Sequence, residues 1–129
     1  MLPVGGPWLD DPPYLTYRKL NSIPMPSPSV LQVFIDEEEG SISGGSFSFN
    51  FKVNALWGDL PADRHGQGGV VSHADGHAEQ RHWRWPKRNR SIFDMVRNTA
   101  DLADFKFLWL GRPRESDYTP AWWSSVPNL

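Results

Sequence analysis

"RHGQGGVVSHADGHAEQRHW", residues 64–83, holds all four histidines of the chain around a single Asp75-Gly76 pair. Asp-Gly between two short segments, the first led by β-branched residues, is the strongest local sign of a hairpin, because a type I′ turn needs φ > 0 at both central residues. The pattern predicts antiparallel strands over 69–74 and 77–83. A two-residue turn pairs Ala74 with His77, His73 with Ala78, Ser72 with Glu79 and Val71 with Gln80. That register puts Ser72, Ala74, His77, Glu79 and Arg81 on one face, and Val71, His73, Ala78, Gln80 and His82 on the other.

This division decides which chemistry is open to the histidines. Zinc needs three or four ligands converging at about 2 Å, whereas His73 and His77 face opposite ways, and His73 and His82 share a face about 13 Å apart along the strand direction. Only His65, in the preceding loop, is free to turn toward either. Ser72, His77 and Glu79 have the composition of a hydrolytic triad, yet a catalytic serine sits on a strained turn beside oxyanion donors and Ser72 is mid-strand. The stretch reads as architecture first. Asp75 and Gly76 make the turn, Ala74 and Ala78 permit close packing, and His65 braces the loop at 58–68 through a ring hydrogen bond near Asp75 or Glu79. The competing reading is a calcium- or zinc-dependent binding module, or a hydrolase, built on the His65, Asp75, His77 and Glu79 region.

Working outward, residues 1–29 form an extended, proline-rich lead-in in which Pro24, Pro26 and Pro28 each fix φ. VLQVFID, 30–36, is a short buried strand, and DEEEGSISGG is its turn. The carboxylates Asp36, Glu37, Glu38 and Glu39 are the candidate calcium ligands, since that ion takes several oxygens in irregular loops. They lack the spaced Asp/Asn pattern of an EF-hand, and acidic runs are ordinarily solvated turns. SFSFNFKV, 46–53, alternates strictly and predicts a half-buried strand with Phe47, Phe49, Phe51 and Val53 inward. A long loop pinned to the core by Trp57 follows.

WPKRNRSIFDM is basic and turn-like, with a helical turn expected at SIFDMV. TADLADFKFLWLGRP predicts a helix capped by Thr99, with Asp101 in the first turn, Leu102, Phe105 and Trp109 near one face, and Gly111 and Pro113 as its stop. Residues 113–129 are an irregular tail. The expected fold is α+β: a globular unit over 30–112 with a small antiparallel sheet, a DG-turn hairpin, long loops and a short C-terminal helix.

Composition sets the outer bounds. At 129 residues the chain is one domain in size, and its seven tryptophans and seven phenylalanines offset an apolar share of only 39%. A net charge of −2 and a pI near 6.0 give no general attraction to nucleic acid. With no cysteine, disulfide frameworks, thiolate metal sites and thiol catalysis are excluded. No stretch approaches the roughly 18 apolar residues of a membrane span, and MLPVGGPWLDDPP has neither the basic nor the apolar region of a signal peptide. That opening reads as the middle of a longer protein. Trp85, Trp122 and Trp123 offer a platform for sugar or peptide, with core or interface packing as the plainer role.

His65, nine intervening residues and Asp75-Gly76 together resemble the His-x9-Asp-Gly signature of a bacterial family of prepilin-like proteins. The surroundings are similar too: PSPSVLQVFIDEEEGSI matches the family's strand and acidic turn, and Trp57, Leu60-Pro61-Ala62, His65-Gly66, Ala74-Asp75-Gly76-His77, Glu79 and Trp83 match its later landmarks. The similarity covers about residues 17–85, with a weaker echo in DLADFKFLWL. It implies the C-terminal globular region of a pseudopilin-like protein, akin to the major pseudopilins of type II secretion, on a chain whose apolar N-terminal helix is missing here. It further implies a non-catalytic assembly role without cofactor. Other pilin-like subunits or secretion-system components would be its partners, and the parent would be membrane-anchored in the periplasm or at the cell surface. The sequence departs from the pattern at Gly40, where a second Asp is common, at His73, where an aromatic is usual, and at Gln80, where an aliphatic is usual.

Overall fold

The computed structural model describes residues 19, 21, 26–42, 44, 47–50 and 55–112. Most of the lead-in and the whole 113–129 tail lie outside them, as do Trp122 and Trp123. The described residues form an α+β unit with the strands β1 (Gln32–Ile35), β2 (Phe49–Asn50), β3 (Leu56–Trp57), β4 (Gly68–His73), β5 (Ala78–His82) and β6 (Asp94–Met95), closed by helix α1 (Thr99–Leu110). They make two antiparallel three-stranded sheets, ordered β1-β4-β5 and β2-β3-β6. No helix among them is long and apolar enough to cross a membrane.

One apolar core serves both sheets and the helix. Val71 from β4, Trp57 from β3, Trp83 after β5 and Leu102, Phe105, Leu108 and Trp109 from α1 belong to a single buried cluster. The helical residues recur at three- and four-residue spacing, so they lie on one stripe. Phe105 meets Trp57 edge-on, with ring centroids 4.9 Å apart, the arrangement the ring quadrupoles favour.

Several local expectations need correction. The helix cap is Asn98, whose side chain accepts the Asp101 N–H at 3.0 Å; Thr99 is the first helical residue, and Asn outranks Thr at this position. Gly111 ends the helix at φ −81°, outside the left-handed region, and a Cβ there would press on the buried Gln32 side chain, which would have to shift. Ile92-Phe93 forms a turn leading into β6, in place of the expected helical turn, with Phe93 at φ 61°. Ser27 to Val30 turns back on itself, Val30 and Leu31 N–H both donating to the Ser27 carbonyl, so the end of the lead-in is not extended.

Candidate functional site

The hairpin forms where Asp75-Gly76 places it, but with three loop residues. The Gly76 N–H donates to the His73 carbonyl at 3.0 Å, closing a turn centred on Ala74 and Asp75, and the His73 N–H donates to the His77 carbonyl at 2.9 Å. Within the loop only Gly76 has positive φ, at 97°. This is a type I turn followed by a left-handed glycine, the usual three-residue solution, whereas type I′ would need Asp75 left-handed as well.

One extra loop residue shifts the register by one and turns β5 over relative to β4. Ser72 pairs with Ala78, Val71 with Glu79, Val70 with Gln80, Gly69 with Arg81 and Gly68 with His82. Val71 and His73 therefore share the core face with His77, Glu79 and Arg81, while Val70 and Ser72 share the outer face with Ala78, Gln80 and His82. The expected split of His73 from His77 is reversed: their rings stack with centroids 4.2 Å apart and planes 6° from parallel. His73 and His82 stand on opposite faces. Gln80 is exposed on the outer face, so its polarity takes nothing from the core.

Around the turn the polar groups satisfy one another. Asp75 Oδ1 accepts the His77 backbone N–H at 3.1 Å and the His77 ring Nδ1 at 2.5 Å. These bonds hold the Asp75 carboxyl below its ordinary range. His73, 6% exposed, points Nδ1 at the Val30 carbonyl (3.3 Å) and Nε2 at Glu79 Oε1 (3.2 Å). Carbonyl and carboxylate oxygens both accept, so the ring is the donor in either contact, and which nitrogen carries the hydrogen depends on the tautomer. Ala74 and Asp75 N–H groups donate back to Leu31 and Pro28 carbonyls, tying the loop to the segment before β1.

His65 is not part of this group. It sits at the opposite end of β4, beyond six strand residues and about 20 Å of extended chain, in a tight turn where Arg64 and Gly68 exchange backbone hydrogen bonds. His65, Gly66 and Gln67 all have positive φ, at 50°, 77° and 69°. The His65 ring is exposed and hydrogen-bonds to no described residue; its backbone carbonyl accepts from Gln80 Nε2 at 3.3 Å. The expected brace to Asp75 or Glu79 is therefore absent. Gln67 closes the loop, its Nε2 donating to the Trp83 carbonyl at 2.7 Å and its carbonyl accepting the Trp83 N–H at 2.8 Å. Trp83 is buried, with Nε1 donating to the Ala62 carbonyl at 2.7 Å.

The four acidic-run carboxylates separate along the chain after β1. Asp36 pairs with Arg64 at 3.0 Å. Glu37 accepts from Ser41 Oγ at 3.3 Å, and burial together with the nearby Asp59 charge pushes its carboxyl up to about 7. Glu39 opens a single helical turn, Glu39–Ser41, with Glu38 just before it. Among the described residues no three His, Asp or Glu side chains are placed to hold one metal ion.

The densest polar cluster is one the sequence reading does not single out. Lys87 is 0% exposed, and its ammonium donates to the Trp85 carbonyl (2.6 Å), Asp101 Oδ1 (2.8 Å) and Asp104 Oδ2 (2.7 Å). Asp104 also accepts the Arg84 and Trp85 N–H groups, and Asp101 accepts Arg90, the Arg97 N–H and Trp57 Nε1. Burial pushes the Asp101 carboxyl up, but Arg90 and Lys87 outweigh it and hold it low. Closed to solvent, this network locks the 84–90 loop onto α1. The signal available in the sequence was Asp101 and Asp104 three apart on the apolar side of the helix.

No family model, curated protein or solved structure matches the chain.

Proposed function

We propose that the chain is a non-catalytic structural and assembly domain of a pseudopilin-like subunit from a bacterial secretion or surface-filament system. The proposal rests on the sequence resemblance at His65, Asp75-Gly76, His77, Glu79 and Trp83. The observation that carries it is how these residues are used. His65 and Asp75-Gly76 each make a turn, at opposite ends of one strand. Asp75 is taken up by His77, Glu79 by His73, and the Trp83 indole by the Ala62 carbonyl. Side chains spent on one another in this way suit a part that must hold shape within an assembly.

The test is the coding sequence upstream of Met1. The proposal expects a short basic leader followed by about 20 apolar residues, and an unrelated upstream domain would overturn it. Metal analysis of the untagged protein is the companion measurement. Stoichiometric zinc or calcium, lost with activity or stability on chelation, would favour the binding-module reading instead.

A further inference from the structure

Among the described residues strand β5 is the last in its sheet. His77 accepts from His73, and Trp83 donates to Gln67, so the odd-numbered residues from 77 to 83 turn their backbone groups toward β4. Alternation then directs the N–H and C=O groups of Ala78, Gln80 and His82 the other way. All three residues are exposed, and no described residue pairs with those outward groups. Such an edge is a template for another strand.

The strand's own sequence, AEQRH, specifies which strand fits. In an antiparallel pair of two copies, outward residues must meet outward residues, so the two-fold axis can pass through Glu79, Gln80 or Arg81. Through Glu79 it sets two carboxylates directly opposite, and through Arg81 two guanidinium groups; both arrangements are destabilising. Through Gln80 it sets Glu79 of each copy against Arg81 of the other and forms about six backbone hydrogen bonds from Ala78, Gln80 and His82. Arg81 lays its guanidinium over the Phe107 ring at 4.0 Å, which holds the cation on this face of the strand. Glu79 meets His73 through Oε1 alone and keeps 38% of its side chain exposed, so the carboxylate can face a second copy without leaving His73.

We infer that β5 is a self-association edge, across which a second copy of this chain pairs antiparallel about Gln80 and continues the β1-β4-β5 sheet through a two-fold axis. The inference stands on this edge alone and holds whether or not the parent protein builds a filament.

Sedimentation equilibrium of the full chain across a concentration series tests it, with circular dichroism to check folding. The parent's mass rises toward twice that of the monomer. Gln80→Pro removes an outward N–H that β4 does not use, and leaves a monomer with the parent's spectrum. Glu79→Arg alone and Arg81→Glu alone are also monomers, because each sets like charges opposite, while an equimolar mixture of the two recovers the doubled mass. A parent that stays monomeric up to about 1 mM overturns the inference. So does a dimer that Gln80→Pro leaves intact, or a mixture of folded charge variants that fails to associate. Should Gln80→Pro not fold, the mixture decides.

Discussion

Replacing Lys87 with methionine keeps the length of the side chain and removes a cation that touches both Asp101 and Asp104. Three donors meet three acceptors at this ammonium, between 2.6 and 2.8 Å, with no exposed surface. Removing one member of a buried ion pair costs about 3–5 kcal/mol, because the remaining charge is left without compensation. Asp101 retains Arg90, and Asp104 retains two backbone N–H groups, which places Lys87→Met near the lower end, about 3 kcal/mol. That is a large share of the 5–15 kcal/mol typical of a whole domain. The assay is urea unfolding followed by tryptophan fluorescence, since Trp57 and Trp83 lie 5.4 and 5.8 Å from the ammonium. A double-mutant cycle isolates the coupling: Asp104→Asn should cost about 1–3 kcal/mol less in the Lys87→Met protein than in the parent. A loss below about 1 kcal/mol for Lys87→Met, the range of exposed pairs, would refute the description of a closed ionic core.

Gly76→Val should lower stability by about 1–2 kcal/mol, because a β-branched residue is forced to φ 97°; an unchanged melting temperature would contradict the turn geometry. His65→Ala and His65→Gln should both stay within about 0.5 kcal/mol of the parent, and His65→Gly should match or exceed it, since φ is 50° there; equal damage from Ala and Gln, reproduced by a chelator, would make the ring a ligand. Glu37→Gln should flatten part of the pH dependence of stability. With the folded carboxyl raised to about 7 from 4.5, the native state binds the extra proton, so this stabilisation is full below 4.5 and is lost as pH rises through 7. Asp94 and Asp101, both held low, act in the opposite sense and lose their contribution as pH falls, so an acid limb that survives Glu37→Gln is expected in the same titration.

The hairpin, the helix and the α+β class are legible because each leaves a local trace: Asp-Gly between two short strands, and Leu102, Phe105 and Trp109 at helical spacing. The register is not, because a two-residue and a three-residue loop both place Gly76 at positive φ, and a single residue between them reverses every face. β3 and β6, each two residues long, are too short for any periodicity to show. Lys87 was hidden by its neighbours. In WPKRNR it looks like one of several solvated cations, and only tertiary contact with Asp101 and Asp104 separates it from Arg84 and Arg88. The same limit applied to His65, whose spacing from Asp75 is a strand's length between two turns rather than the approach of two side chains.

The central claim is that residues 64–83 are two turns joined by one antiparallel ladder, with the histidines placed by a three-residue loop. Interstrand Hα–Hα contacts measured by NMR test it directly, since only residues opposite one another in a non-hydrogen-bonded pair come close enough. The account predicts contacts between Ser72 and Ala78 and between Val70 and Gln80, with none linking His65 to Asp75 or His77. Contacts between His73 and Ala78 and between Val71 and Gln80 would contradict it, restoring the two-residue turn and returning His73 and His77 to opposite faces.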